Sequence, residues 1–179
     1  RQRQMCIRDR SKAYFKMPKS YILGQIREPG CLNRFHPFCK RNIAHKWPGN
    51  GSIDELEYLN GRKYKRYFFN WTDNGYDLKI GGKKEMAIVN WYVEGSDEEC
   101  SLRVRINPNI ENYVPFKNIL IQNIFWFLYI RPKLQSYINH VVNGFIFYVS
   151  NNTDINKNQF GKHSWFSSCL LYTSDAADD

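Results

Sequence analysis

The chain has 179 residues, 42% of them hydrophobic and 24% charged, with a formal charge of +9. That length suits one domain with a real core, and that balance excludes a disordered or fibrous chain. No stretch reaches the ~18–20 consecutive apolar residues of a membrane span; the longest candidate, 119–130, is interrupted by Gln122 and Asn123.

In chain order the two ends come first. Residues 1–10 (RQRQMCIRDR) and 169–179 (CLLYTSDAADD) share no periodicity with the interior. Both resemble translated sequencing-adapter read-through, familiar in proteins called from metagenomic reads, and are set aside as foreign. One domain is then expected over 11–168. The four arginines and four aspartates removed with the ends cancel, so the basic balance stands. Cys31, Cys39 and Cys100 remain. An odd set without a CxxC spacing suits reduced thiols and a cytoplasmic protein.

Residues 11–17 alternate around Tyr14 and Phe15 and predict a strand. Pro18 suits the first turn of a short helix carrying Tyr21, Ile22 and Ile26, which Pro29-Gly30 breaks. A second short helix or turn over 32–38 is ended by Pro37. Hairpins follow. Strands over 52–59 and 62–71 flank Asn60-Gly61, a strong turn signal. Asp73-Asn74-Gly75 leads into 76–80, Gly81-Gly82 into 85–93, and Glu94-Gly95-Ser96-Asp97 into Leu102, Val104 and Ile106. These alternate as an antiparallel meander with one wet and one buried face. Pro115 opens a long helical stretch, and Leu134, Tyr137, Ile138, Val141, Val142, Phe145 and Tyr148 have the spacing of one helix face. Pro132 is expected to kink that helix or split it. The fold class predicted is α+β: a curved antiparallel sheet of roughly six or seven strands gripping a long C-terminal helix, with two short helices near the N-terminus.

This order resembles the START-like, or SRPBCC, superfamily of polyketide cyclases, lipid-transfer domains and pollen-allergen-like proteins. Leu32-Asn33-Arg34-Phe35-His36-Pro37-Phe38 is similar to that family's l-x-x-W-H-P segment, with Phe35 where Trp is common. Trp47-Pro48-Gly49-Asn50-Gly51-Ser52 resembles its glycine-containing approach to the sheet. Gly144-Phe145 and the 158–166 tail resemble an uncharacterised bacterial and algal branch. The resemblance implies a helix-grip cavity that binds a hydrophobic or amphipathic small molecule, or a cyclase/dehydratase-type enzyme on the same scaffold.

Candidate ligand contacts are read from the aromatic load and the few polar groups on apolar faces: Phe35, His36, Tyr67, Trp71, Tyr76, Leu78, Asn90, Tyr137, His140 and Gly144. His36 is the one candidate for catalysis, as an acid or base at a cavity mouth. Its alternative is a structural His bonded to backbone. His140 is weighed between helix surface and cavity. Tyr67, Phe69 and Trp71 share one strand face, while Tyr64, Arg66 and Phe68 share the other, and either face could be concave. Gly144 would let a backbone or a ligand approach closely. Trp165 and Phe166 are expected to anchor the tail as a lid or a plug.

No metal-ligand spacing, phosphate loop or nucleotide motif occurs, so no metal and no cofactor is expected. Arg62, Lys63, Lys65 and Arg66 interleave with aromatics, a pattern that can track nucleic acid. Without a nucleic-acid motif that partner is disfavoured, and the same charges could meet an anionic membrane surface.

Overall fold

A computed structural model describes residues 9–113 and 118–168. Pro115 lies outside the described residues. Seven antiparallel strands form one sheet in the order β1-β7-β6-β5-β4-β3-β2. Strand β1 (Asp9–Phe15) lies at one edge and β2 (Cys39–Lys46) at the other, with helices α1 (Lys19–Arg27) and α2 (Leu32–Phe35) between them in sequence. The meander is β3 (Ile53–Tyr58), β4 (Lys63–Thr72), β5 (Gly75–Gly81), β6 (Glu85–Gly95) and β7 (Cys100–Pro108). Ala87, Val89, Trp91 and Val93 bury one face of β6, and Leu102, Val104 and Ile106 continue it on β7. The period-2 pattern thus selects the concave side.

Strand β2 is an element that the hydrophobic pattern did not predict. Its sequence, CKRNIAHK, buries only Cys39 and Asn42, and it pairs with β3 alone. An edge strand of this kind carries little alternation.

After β7 come α3 (Ile110–Tyr113), α4 (Ile119–Phe125), a π-helical turn (Trp126–Ile130) and α5 (Arg131–Asn151). Helix α5 lays Leu134, Ile138, Val141, Val142 and Phe145 across the sheet. Pro132 does not end the helical path. It sits in the first turn of α5, directly after the π turn. Proline has no N–H for the carbonyl four residues back and its ring crowds that carbonyl, so the wider turn accommodates it.

At Gly144 a Cβ would lie 2.1 Å from the Phe35 carbonyl oxygen. What approaches this glycine is therefore the backbone of α2, which locks the short helix against α5.

Candidate functional site

Between α5 and the sheet lies a cavity of about 60 Å³. Its walls are aliphatic in the main, including Leu56, Leu78, Val89, Ile106, Leu134 and Ile138. Side chains with polar groups also line it: His36, Tyr58, Tyr64, Arg66, Tyr113 and Tyr137.

His36 follows α2 and is 1% exposed. The Phe38 N–H donates to its Nδ1 (3.2 Å), so the ring proton sits on Nε2, which donates to the Tyr137 hydroxyl at 2.9 Å. The Tyr137 and Tyr58 hydroxyls are 3.0 Å apart. Burial pulls the His36 pKa down to about 3, helped by the positive charge of Arg66. Burial likewise pushes Tyr137 up to about 12 and Tyr58 well above its ordinary value. The three groups are therefore neutral at physiological pH. They hold three hydrogens but make two hydrogen bonds with one another, so one phenolic hydrogen has no acceptor among the described residues. Both phenols line the cavity. Both His36 nitrogens are engaged, Nδ1 by the Phe38 N–H and Nε2 by the Tyr137 hydroxyl, and the arrangement presents a phenolic donor to the cavity.

Arg66 and Asp54 are directly opposed in the β3–β4 register. They are 4% and 0% exposed. Arg66 Nε donates to Asp54 Oδ1 at 2.7 Å, and Nη2 donates to Oδ2 in a two-pronged pair. Burial works against the guanidinium charge, but the carboxylate's attraction and hydrogen bonds win and raise the Arg66 pKa. The pair carries no net charge into the cavity wall. Arg66 therefore leaves the basic surface cluster expected of 62–66, and Lys63 lies within 4 Å of Glu55 and Glu57.

The other predicted contacts divide. Leu78 lines the cavity with His36 and Tyr137. Phe35 does not; it is core, with its ring 4.9 Å from Phe145 and 6.1 Å from Trp91. Tyr76 is core as well, donating to the Ile26 carbonyl at 3.0 Å. Tyr67 lies on the convex face, 46% exposed. Trp71 does not share that face. Asn70 takes a left-handed conformation (φ 50°) at an irregularity in the β4–β5 register, which turns Trp71 inward against Phe68, Tyr76 and Trp47. Asn90 is also on the outer face, donating to Asp77 at 2.7 Å and accepting from Asn107 at 2.8 Å. His140 lies outside the cavity and ties Ser136 to the tail through the carbonyls of Ser136 (2.6 Å) and Phe160 (2.9 Å).

The tail closes one end of the cavity. Phe166 lines it, stacked 4.3 Å from Tyr58 and tilted against Tyr137 at 4.7 Å. His163 holds the turn as His36 holds its own. Its Nδ1 accepts the Trp165 N–H, and its Nε2 donates to the Lys133 carbonyl at 3.0 Å. Among the described residues no group of three His, Cys, Asp or Glu could hold a metal ion.

No family model and no curated protein matches the sequence. Solved structures do match the fold. A START superfamily protein from Mycobacterium smegmatis matches with a TM-score of 0.58 at 9% identity, over 82% of this chain and 99% of that one. DynU16, from the dynemicin biosynthetic locus, matches with a TM-score of 0.59 at 11% identity over 82% of this chain. The di-domain ARO/CYC protein BexL, from the BE-7585A pathway, matches with 0.56 at 9% over 79%. The chain spans about half of each of these last two, 48% and 47% of their lengths. The fold is START-like, of the helix-grip type.

Proposed function

We propose that this chain binds a hydrophobic or amphipathic small molecule between α5 and the sheet, for storage, transport or sensing, with an acceptor oxygen of the ligand against the Tyr58–Tyr137 pair. The observation that carries this reading is the unspent phenolic hydrogen in a cavity walled largely by aliphatic side chains. A carbonyl, ether or hydroxyl oxygen would satisfy it, and the aliphatic walls would take the rest at ~25 cal/mol per Å² before ordering costs. Pockets for drug-sized ligands hold ~300–1,000 Å³. The cavity of about 60 Å³ must therefore widen, and displacement of the Phe166 ring, which lines it, would do so. The three cysteines among the described residues are free and buried, which supports a reducing, cytoplasmic setting.

An enzymatic reading of the cyclase or dehydratase type would use the same phenol as a donor to a substrate carbonyl. The same hydrogen favours it, and the ARO/CYC neighbour gives it a precedent on this fold.

The binding reading is tested with two probes of one shape, 2-acetylnaphthalene and 2-ethylnaphthalene, titrated by fluorescence into the wild type and Phe166→Ala. The ketone should bind about three- to tenfold tighter than its hydrocarbon counterpart, with that preference lost in Tyr58→Phe/Tyr137→Phe. Phe166→Ala should bind both more tightly. Equal affinity for the two probes, or binding of neither by Phe166→Ala, would overturn the reading.

A further inference from the structure

We infer that the segment from Ile119 to Tyr129 is a membrane-docking element that seats the cavity's plugged end on an anionic lipid surface. The inference is independent of what the cavity binds.

The segment is inverted relative to a surface helix of a globular protein, which turns its apolar stripe inward. Here Ile119, Leu120, Ile121, Ile124, Phe127 and Leu128 are exposed, at 46–76%, with Tyr129 beside them at 45%. Gln122 and Asn123 are half-buried, as is Phe125. Trp126 faces inward too, with a buried indole N–H that has no partner among the described residues. Seven of the ten large hydrophobics exposed among the described residues fall in these eleven positions. The residues from 119 to 130 carry no charge. Such a stripe is stable against an apolar medium and costly against water. No helix among the described residues is long and apolar enough to cross a membrane, so the geometry is that of a helix lying in the interface.

Charge selects the occupant. The segment packs through Trp126 and Ile130 against Tyr113 and Trp165. The Asn60 amide donates to the Trp165 carbonyl, and the Asn112 amide to that of Glu85. The β3–β4 and β5–β6 turns and the tail therefore gather at this same end. They bring Arg62, Lys83, Lys84 and Lys162, all exposed and in none of the ion pairs among the described residues. Arg131 sits 5.8 Å over the Phe127 ring. Facing acids are Glu111 and Glu85, the latter paired with Lys79. An apolar stripe rimmed by cations fits anionic headgroups over acyl chains, each cation adding attraction. A second copy of the same chain would bring the same +9 charge against itself.

The test is flotation of the full chain with vesicles of phosphatidylcholine alone or with about 30% phosphatidylglycerol, at low salt. Wild type should float with the anionic vesicles and be released as salt rises. Leu120→Glu/Leu128→Glu, placed at exposed positions so that the fold is kept, should weaken partitioning about a hundredfold or more. Lys83→Glu/Lys84→Glu should weaken it about tenfold or more. An environment-sensitive dye on Leu128→Cys should shift to the blue on binding. Absence of flotation with anionic vesicles would overturn the inference. So would a concentration-dependent dimer, without flotation, that Leu120→Glu/Leu128→Glu dissolves, because the stripe would then belong to a second copy.

Discussion

The His36 Nε2 donates to the Tyr137 hydroxyl across 2.9 Å, while the Phe38 N–H occupies the other ring nitrogen. A short helix near the N-terminus and the long helix near the C-terminus thus meet through one fixed tautomer. The imidazole is held neutral by its burial, and that has a consequence for stability.

Burial places the folded pKa of His36 at about 3, below the ordinary 6.5. Above pH 6.5 neither state carries the proton and this residue contributes no slope. Between 6.5 and 3 only the unfolded state takes the proton, so stability falls with pH by up to about 1.4 kcal/mol per unit. His163, lowered by burial in the same direction, adds the same sign. Urea unfolding at pH 7.5 and 5.0 should show this loss, and His36→Gln should show less of it. An unchanged slope in His36→Gln would contradict a buried neutral imidazole.

Asp54→Asn should leave the Arg66 charge buried and unpaired, at a cost of about 3–5 kcal/mol. Replacing both partners, as Asp54→Leu/Arg66→Met, should cost much less than the single change. Chemical denaturation of the two variants decides this; a double variant as unstable as Asp54→Asn would mean that the pair does more than compensate itself.

Gly144→Ala should destabilise by about 1–3 kcal/mol, because the obstacle 2.1 Å from its Cβ is the Phe35 carbonyl, not a flexible side chain. Asn143→Ala, on the exposed side of the same helix turn, should be neutral or slightly stabilising. A drop in thermal midpoint confined to Gly144→Ala is the expected pattern.

The legible parts of this fold are those where burial imposes a period. Strands β5 to β7 and the α5 stripe follow from alternation and from helical spacing, and with them the helix-grip order. Strand β2 was hidden because an edge strand buries few side chains. The inward turn of Trp71 was hidden because one left-handed residue, Asn70, resets the phase. The Asp54–Arg66 pair left a usable signal. Asn60-Gly61 sets the register that opposes 54 to 66, Asp54 is in phase with Leu56 and Tyr58, and Arg66 with Tyr64 and Phe68. A charge in an apolar phase on each strand of one hairpin marks an internal pair. Tyr58 follows from the same phase. The inverted segment at 119–129 was visible only as an apolar run, since nothing in its composition says which side meets the protein.

The measurement that bears most directly on the binding proposal is native mass spectrometry of the chain as it comes from cells, with solvent extraction of whatever travels with it. A non-covalent adduct containing an acceptor oxygen is expected, diminished in Tyr58→Phe/Tyr137→Phe while the fold is retained. A bare chain from cells, together with a Phe166→Ala variant that also carries nothing, would contradict a ligand-filled cavity.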